Sequence, residues 1–114
     1  MSILSKVVFL TQDKDMDEFY IYILECSDGS YYTGHTDDIE TRISQHEQGI
    51  FVNCYTYKRR PVKLVFVEQL GTRDEAFAAE RQIKGWNRRK KLALIERDFD
   101  RLKYLAKNTK AKES

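Results

Sequence analysis

The stretch "FYIYILE", Phe19 to Glu25, is dense in aromatic and β-branched residues and carries no charge until its last position, which reads as a strand. "CSDGS" follows as a turn around Asp28 and Gly29, and "YYTGH" continues as a second strand, so the two predict a hairpin. The spacing then lengthens to three and four. Asp37 with Glu40 makes a capping box, predicting a helix from about Asp38 to Gln48 that ends at Gly49. After the loop "NCYTYKRRP", "VKLVFVEQL", Val62 to Leu70, reads as a third strand. Gly71 breaks it, and Thr72 with Glu75 forms a second capping box that opens a helix to about Lys84. Gly85 interrupts, Asn87 caps again, and "RRKKLALIERDFDRLKYLAKN" predicts one or two further helices with a Lys-rich tail. The order predicts a small α/β domain, a three-stranded sheet covered by helices. Three strands alone are marginal, so the helices must supply much of the core.

At 114 residues the chain fits one domain. We divide it into a leader over residues 1–18, a domain over 19–96, and a C-terminal helix with a basic tail over 97–114. The apolar leader stretch "ILSKVVFL" is interrupted by Lys6 and followed by "TQDKDMDE", which does not read as a signal peptide. Only Cys26 and Cys54 occur, without a CxxC pair, which with the soluble composition points to the cytoplasm. The net charge of +2 is unevenly placed. From Arg81 to Lys110 eleven Lys or Arg face three acids, a net +8, leaving −6 for the rest. A clustered positive field suits a polyanion partner, although it equally describes a solvated helix face.

Two helices place ionisable groups on their apolar sides. At about 100° per residue, with Ile39 at 0°, Ile43 falls near 40°, His46 near 340° and Arg42 near 300°. The same count along the second helix sets Glu80 on the side shared by Ala76, Ala79 and Ile83, the residues that should pack inward. An unpaired buried guanidinium is expensive. Arg42 therefore either pairs with Glu80 in a partly buried salt bridge, or joins His46 and Glu80 around a tyrosine-rich sheet to make a phosphodiester site. In the second case Arg would stabilise added phosphate charge, Glu would hold a divalent metal, and His or Tyr would handle a proton.

"YIY", Tyr20 to Tyr22, then "YTG", Tyr32 to Gly34, then Arg42, His46 and Glu80 in "EAFAAERQIKGW" resemble the GIY-YIG nuclease family in order and spacing. The small stand-alone bacterial members are most similar, through "DGSxYTG", "RRPVxLVY" and "EA…E…IK". The resemblance implies a three-stranded antiparallel sheet flanked by helices, and Mg²⁺- or Mn²⁺-dependent hydrolysis of DNA. It makes Tyr22 the first-motif tyrosine and a candidate general base, and Tyr32 an orienting hydroxyl. Arg42 would neutralise the scissile phosphate, His46 would assist proton transfer or bind phosphate, and Glu80 would be the metal ligand. This chain departs from the pattern at Tyr20, where the family has glycine and where a large ring could narrow the approach, and at Thr33, where it has isoleucine. His35 and Asn87 are candidate accessory residues, with an exposed turn histidine and a helix cap as the plainer readings.

DNA affinity would come from the domain's own surface. "YTYKRRP" places Tyr55, Tyr57, Lys58, Arg59 and Arg60 in one loop, and "WNRRKK" adds Arg88, Arg89, Lys90 and Lys91. Such side chains stack on bases and hold phosphates. Trp86 reads as a core plug. The reading is a metal-dependent endonuclease in DNA repair, recombination or processing. The alternative is a catalytically weak nucleic-acid-binding module that acts with a protein partner.

Overall fold

A computed structural model describes residues 18–113. Except for Glu18, the leader expected over residues 1–18 lies outside the described residues. The elements are β1 (Phe19–Glu25), β2 (Tyr31–Thr36), α1 (Ile39–Gln48), a 3₁₀ turn (Tyr57–Arg59), β3 (Lys63–Leu70), α2 (Arg73–Lys84), α3 (Arg88–Ile95) and α4 (Phe99–Glu113). The strands form one sheet in the order β2-β1-β3, antiparallel at both pairings.

β1 lacks hydrophobic and polar alternation because it is the central strand and both its faces are covered. Tyr20, Tyr22 and Leu24 pack with Ile39 of α1 and with Val62. Ile21 and Ile23 pack on the opposite face with Phe66, Ile83 and Leu94, against α2 and α3. Trp86 is half-buried against this second cluster, as a core plug should be. Burying side chains of this size contributes about 1.5–3 kcal/mol each, and the two clusters supply the core that three strands cannot. Among the described residues no helix is long and apolar enough to cross a membrane.

The first helix is capped one residue later than expected, by Asp38 and without the reciprocal half of a capping box. β2 continues to Thr36, whose hydroxyl accepts from the Asp38 N–H (3.0 Å), and this turns the chain so that Asp38, not Asp37, precedes the helix. The Asp38 carboxylate then accepts from the Thr41 N–H (3.2 Å) and hydroxyl (2.8 Å). Gly49 ends α1 at φ +75°, a conformation that glycine adopts without a Cβ penalty. Thr72 and Asn87 cap α2 and α3 as the sequence indicates. The Glu75 side chain reaches back to the Gly71 N–H (3.0 Å) instead of to Thr72.

Candidate active site

Antiparallel register sorts the chemistry onto two faces. Tyr22 pairs with Gly34 and Leu24 with Tyr32, so Tyr22, Tyr32 and Gly34 share the α1 face, while His35, paired with Ile21, shares the α2 face. Gly34 is the place where a missing side chain matters. A Cβ there would lie 2.5 Å from the Tyr22 hydroxyl oxygen and 2.6 Å from its Cζ, so only glycine lets the tyrosine cross the β2 backbone.

On the α1 face, the Tyr22 hydroxyl lies 3.0 Å from His46 Nε2, and His46 Nδ1 lies 2.9 Å from Thr56 Oγ1. The Thr56 hydroxyl donates to Cys54 Sγ (3.5 Å), leaving its oxygen to accept from Nδ1–H. With Thr56 donating to sulfur, the matching tautomer carries its proton on Nδ1 and leaves Nε2 to accept from the Tyr22 O–H. Tyr22, His46 and Thr56 are all buried. Burial raises Tyr22 to about 12, against the opposing pull of the Arg42 charge, and lowers His46 to about 4, with Arg42 adding to that shift. The ring is therefore neutral at pH 7. With both nitrogens engaged it is not open to a phosphate, and its route to any substrate runs through Tyr22. Tyr32 packs edge-on to His46 (5.3 Å between centroids), and burial, then the Cys54 side chain, raises its pKa.

Arg42 is half-buried. Its Nη1 donates to the His35 carbonyl (3.4 Å), and its guanidinium lies 5.5 Å from the Phe51 ring centroid. The Arg42–Glu80 salt bridge is not formed. Among the described residues, Glu80 Oε1 is instead paired with His35 Nδ1, and Oε2 with Lys84 Nζ at 2.6 Å. Burial opposes the Glu80 charge, but the hydrogen bonds and charges of Lys84 and His35 outweigh it and hold the carboxyl below its ordinary value. His35 thus links the two faces, its carbonyl to Arg42 and its ring to Glu80. The charges of Arg42 and Glu80 move the Tyr22 titration in opposite directions. Tyr20 is on the same face but buried, with its hydroxyl donating to Glu18 (3.2 Å). It belongs to the core and does not narrow an approach.

The basic loop is more structural than its composition suggests. Tyr55 stacks on Tyr32 with one face (6.4 Å, 16°) and carries the Arg59 guanidinium 3.7 Å from its ring centroid. Arg59 also bonds Asp28 and the Tyr55 carbonyl, and Arg60 bonds the Tyr57 and Glu47 carbonyls while lying 4.8 Å from the Tyr57 ring centroid. Arg88 donates to the Gly29 carbonyl (2.6 Å) and lies over Tyr31, clamping the hairpin turn. Lys58 and Arg89 are exposed, Lys90 lies 6.0 Å from the Trp86 ring centroid, and Lys91 is half-buried, its pKa lowered by burial and by Lys84. Asn87 is a cap (to Lys90 N–H, 2.9 Å). Sequence reasoning missed Thr56 and Lys84. The i,i+4 spacing from Glu80 was a signal for Lys84; nothing local marked Thr56.

Residues 18–93 match the family described as the GIY-YIG catalytic domain. The chain is 51% identical over 80 residues to a UPF0213 protein of Staphylococcus saprophyticus, covering 70% of this chain and 96% of that one. It is 46% identical over 81 residues to a UPF0213 protein of Staphylococcus aureus (71% and 98% covered). The solution structure of a protein from E. faecalis aligns with a TM-score of 0.51 at 35% identity, over 72% of this chain and 86% of that one.

Proposed function

Because this chain belongs to the GIY-YIG catalytic domain family, we propose that it is a divalent-metal-dependent endonuclease that hydrolyses DNA phosphodiester bonds, with its catalytic unit in residues 19–96. The observation that carries this reading is that His35 of β2 holds Arg42 through its carbonyl and Glu80 through its ring, next to Gly34, over which the Tyr22 hydroxyl lies.

With His46 neutral and its proton on Nδ1, the Tyr22 O–H donates to Nε2. The phenol oxygen can therefore take a proton from an attacking water as its own proton passes to Nε2, with Thr56 holding the far side of the ring. Arg42 is placed to neutralise the charge that builds on the phosphate. Glu80 is the carboxylate available to a metal, and among the described residues no group of three or more His, Cys, Asp or Glu converges. One ionised carboxylate fits a hard cation that keeps most of its water, Mg²⁺ or Mn²⁺. When bound, such a cation supplies Lewis-acid stabilisation of the leaving oxygen. Lys58, Arg89 and Lys90 are the basic side chains best placed to hold flanking phosphates, which predicts salt-dependent binding with little sequence preference.

The second reading, a binding module without activity, draws on the ion pairs that occupy both Glu80 oxygens. Incubating plasmid, branched and single-stranded DNA with Mg²⁺ or Mn²⁺ separates the two. We expect cleavage by the wild type, and losses of about 100-fold or more for Glu80→Ala, Arg42→Ala and Tyr22→Phe. A wild type that binds DNA and cuts none, or a Glu80→Ala protein that cuts equally well, overturns the nuclease reading.

A further inference from the structure

The two oxygens of Glu80 are held by very different partners. Oε1 meets His35, which sits on a strand, is three-quarters buried, has its ring edge against Phe77 (5.9 Å, 66°), and has its backbone carbonyl bonded to Arg42. Oε2 meets the end of a four-carbon chain, Lys84, whose side chain is 48% exposed and whose Nζ lies 5.6 Å from the Tyr32 ring centroid. A flexible ammonium that is half in solvent is given up more easily than an imidazole fixed by its own strand.

Resting on the metal reading above, we propose that Oε2 is the metal-binding oxygen, that Lys84 is a tethered counter-ion a divalent cation must displace from it, and that His35 is a positioning residue that fixes the carboxylate through Oε1. Outer-shell donors of this kind set the direction of a ligand's lone pairs, and their loss costs metal affinity. Lys84, once displaced, swings clear on its exposed stem. The displaced ammonium is then free to meet an anion at this edge. The cation and the phosphate backbone of the substrate then favour each other's binding, and the protein without DNA holds metal weakly.

The two partners of one carboxylate should therefore respond with opposite signs. Mn²⁺ is titrated into the full chain without DNA, free ion being read by electron paramagnetic resonance, and thermal melts confirm that each variant is folded. Lys84→Gln should bind Mn²⁺ about threefold more tightly than the wild type. His35→Ala should bind about tenfold more weakly, and His35→Asn, whose amide nitrogen stands where Nδ1 does, should recover most of that loss. Glu80→Gln should abolish the binding. Unchanged or weaker binding by Lys84→Gln overturns the proposal, as does Mn²⁺ retained by Glu80→Gln or no binding by any protein. None of these outcomes decides whether the wild type cuts DNA, which the cleavage assay reads separately.

Discussion

The two faces of the sheet solve the problem of a polar group near a core in opposite ways. On the α1 face, Tyr22, His46 and Thr56 are buried and uncharged, each bonded to the next, with the ring's proton arrangement set by the end of the chain at Cys54. On the α2 face, Glu80 is held between the His35 ring and the Lys84 ammonium at the rim, with Lys84 half in solvent. The dry side keeps a chain of hydrogen bonds fixed, because each group would be expensive to leave unpaired. The wet side keeps a charge exchangeable, because the half-exposed Lys84 pair is cheaper to break than the His35 contact. A nuclease of the proposed kind needs both properties. The sheet separates them by one strand's thickness and joins them at β2.

Gly34 is where that join is most sensitive. Gly34→Ala places a methyl group 2.5 Å from the Tyr22 hydroxyl, and the ring cannot retreat because it is fully buried. Overpacking of this order costs about 1–3 kcal/mol. We expect a lowered urea midpoint and the loss of most cleavage, since the hydroxyl is pushed off His46. Because Glu80 is held from the other face, Mn²⁺ binding should survive. A stable, active Gly34→Ala protein would mean that the two faces are not joined here.

Most of the frame was legible in the sequence. Aromatic and β-branched density marked β1, Gly49 and Gly71 marked ends, and the caps at Thr72 and Asn87 needed only local chemistry. The Asp37 cap moved by one residue because Thr36 captures the Asp38 N–H, a preference decided by where the strand stops. Helical periodicity also showed that Arg42, His46 and Glu80 face inward. It could not show which partners they meet, because the distance across a sheet has no local signature. Hence His35 reads as an accessory candidate with an exposed turn histidine as the plainer alternative, although its register with Ile21 aims it at Glu80, and nothing in the loop around Thr56 marks the residue that bonds His46.

The dry face should reveal itself in acid. His46 takes a proton near 6.5 in the unfolded chain and only near 4 in the fold, so between those values the unfolded state binds more protons. Its contribution to stability is complete above about 6.5 and is lost as the pH falls toward 4, a change on the order of 2 kcal/mol. Urea melts of the wild type and of His46→Gln at several pH values check this. The wild-type midpoint should fall more steeply over that window, the difference between the proteins removing the carboxylate background they share. Parallel curves would mean that His46 titrates as it does in solvent, and that the α1 face is not dry.

The smallest effect tests whether the wet face is as poorly satisfied inside as it is loosely held outside. Thr33 lies on that face, opposite Ile23, 2% exposed, and its Oγ1 has no hydrogen-bond partner. On the α1 face, by contrast, Tyr22, His46 and Thr56 all find partners. A buried hydroxyl without a partner costs stability, and valine keeps the branched shape that β2 accepts. Thr33→Val should therefore raise the urea midpoint by an amount worth up to about 1 kcal/mol, with cleavage unchanged. Destabilisation by the same substitution would show that the hydroxyl holds an ordered water, and that the polar network of the Glu80 side runs under α2 as well as along its rim.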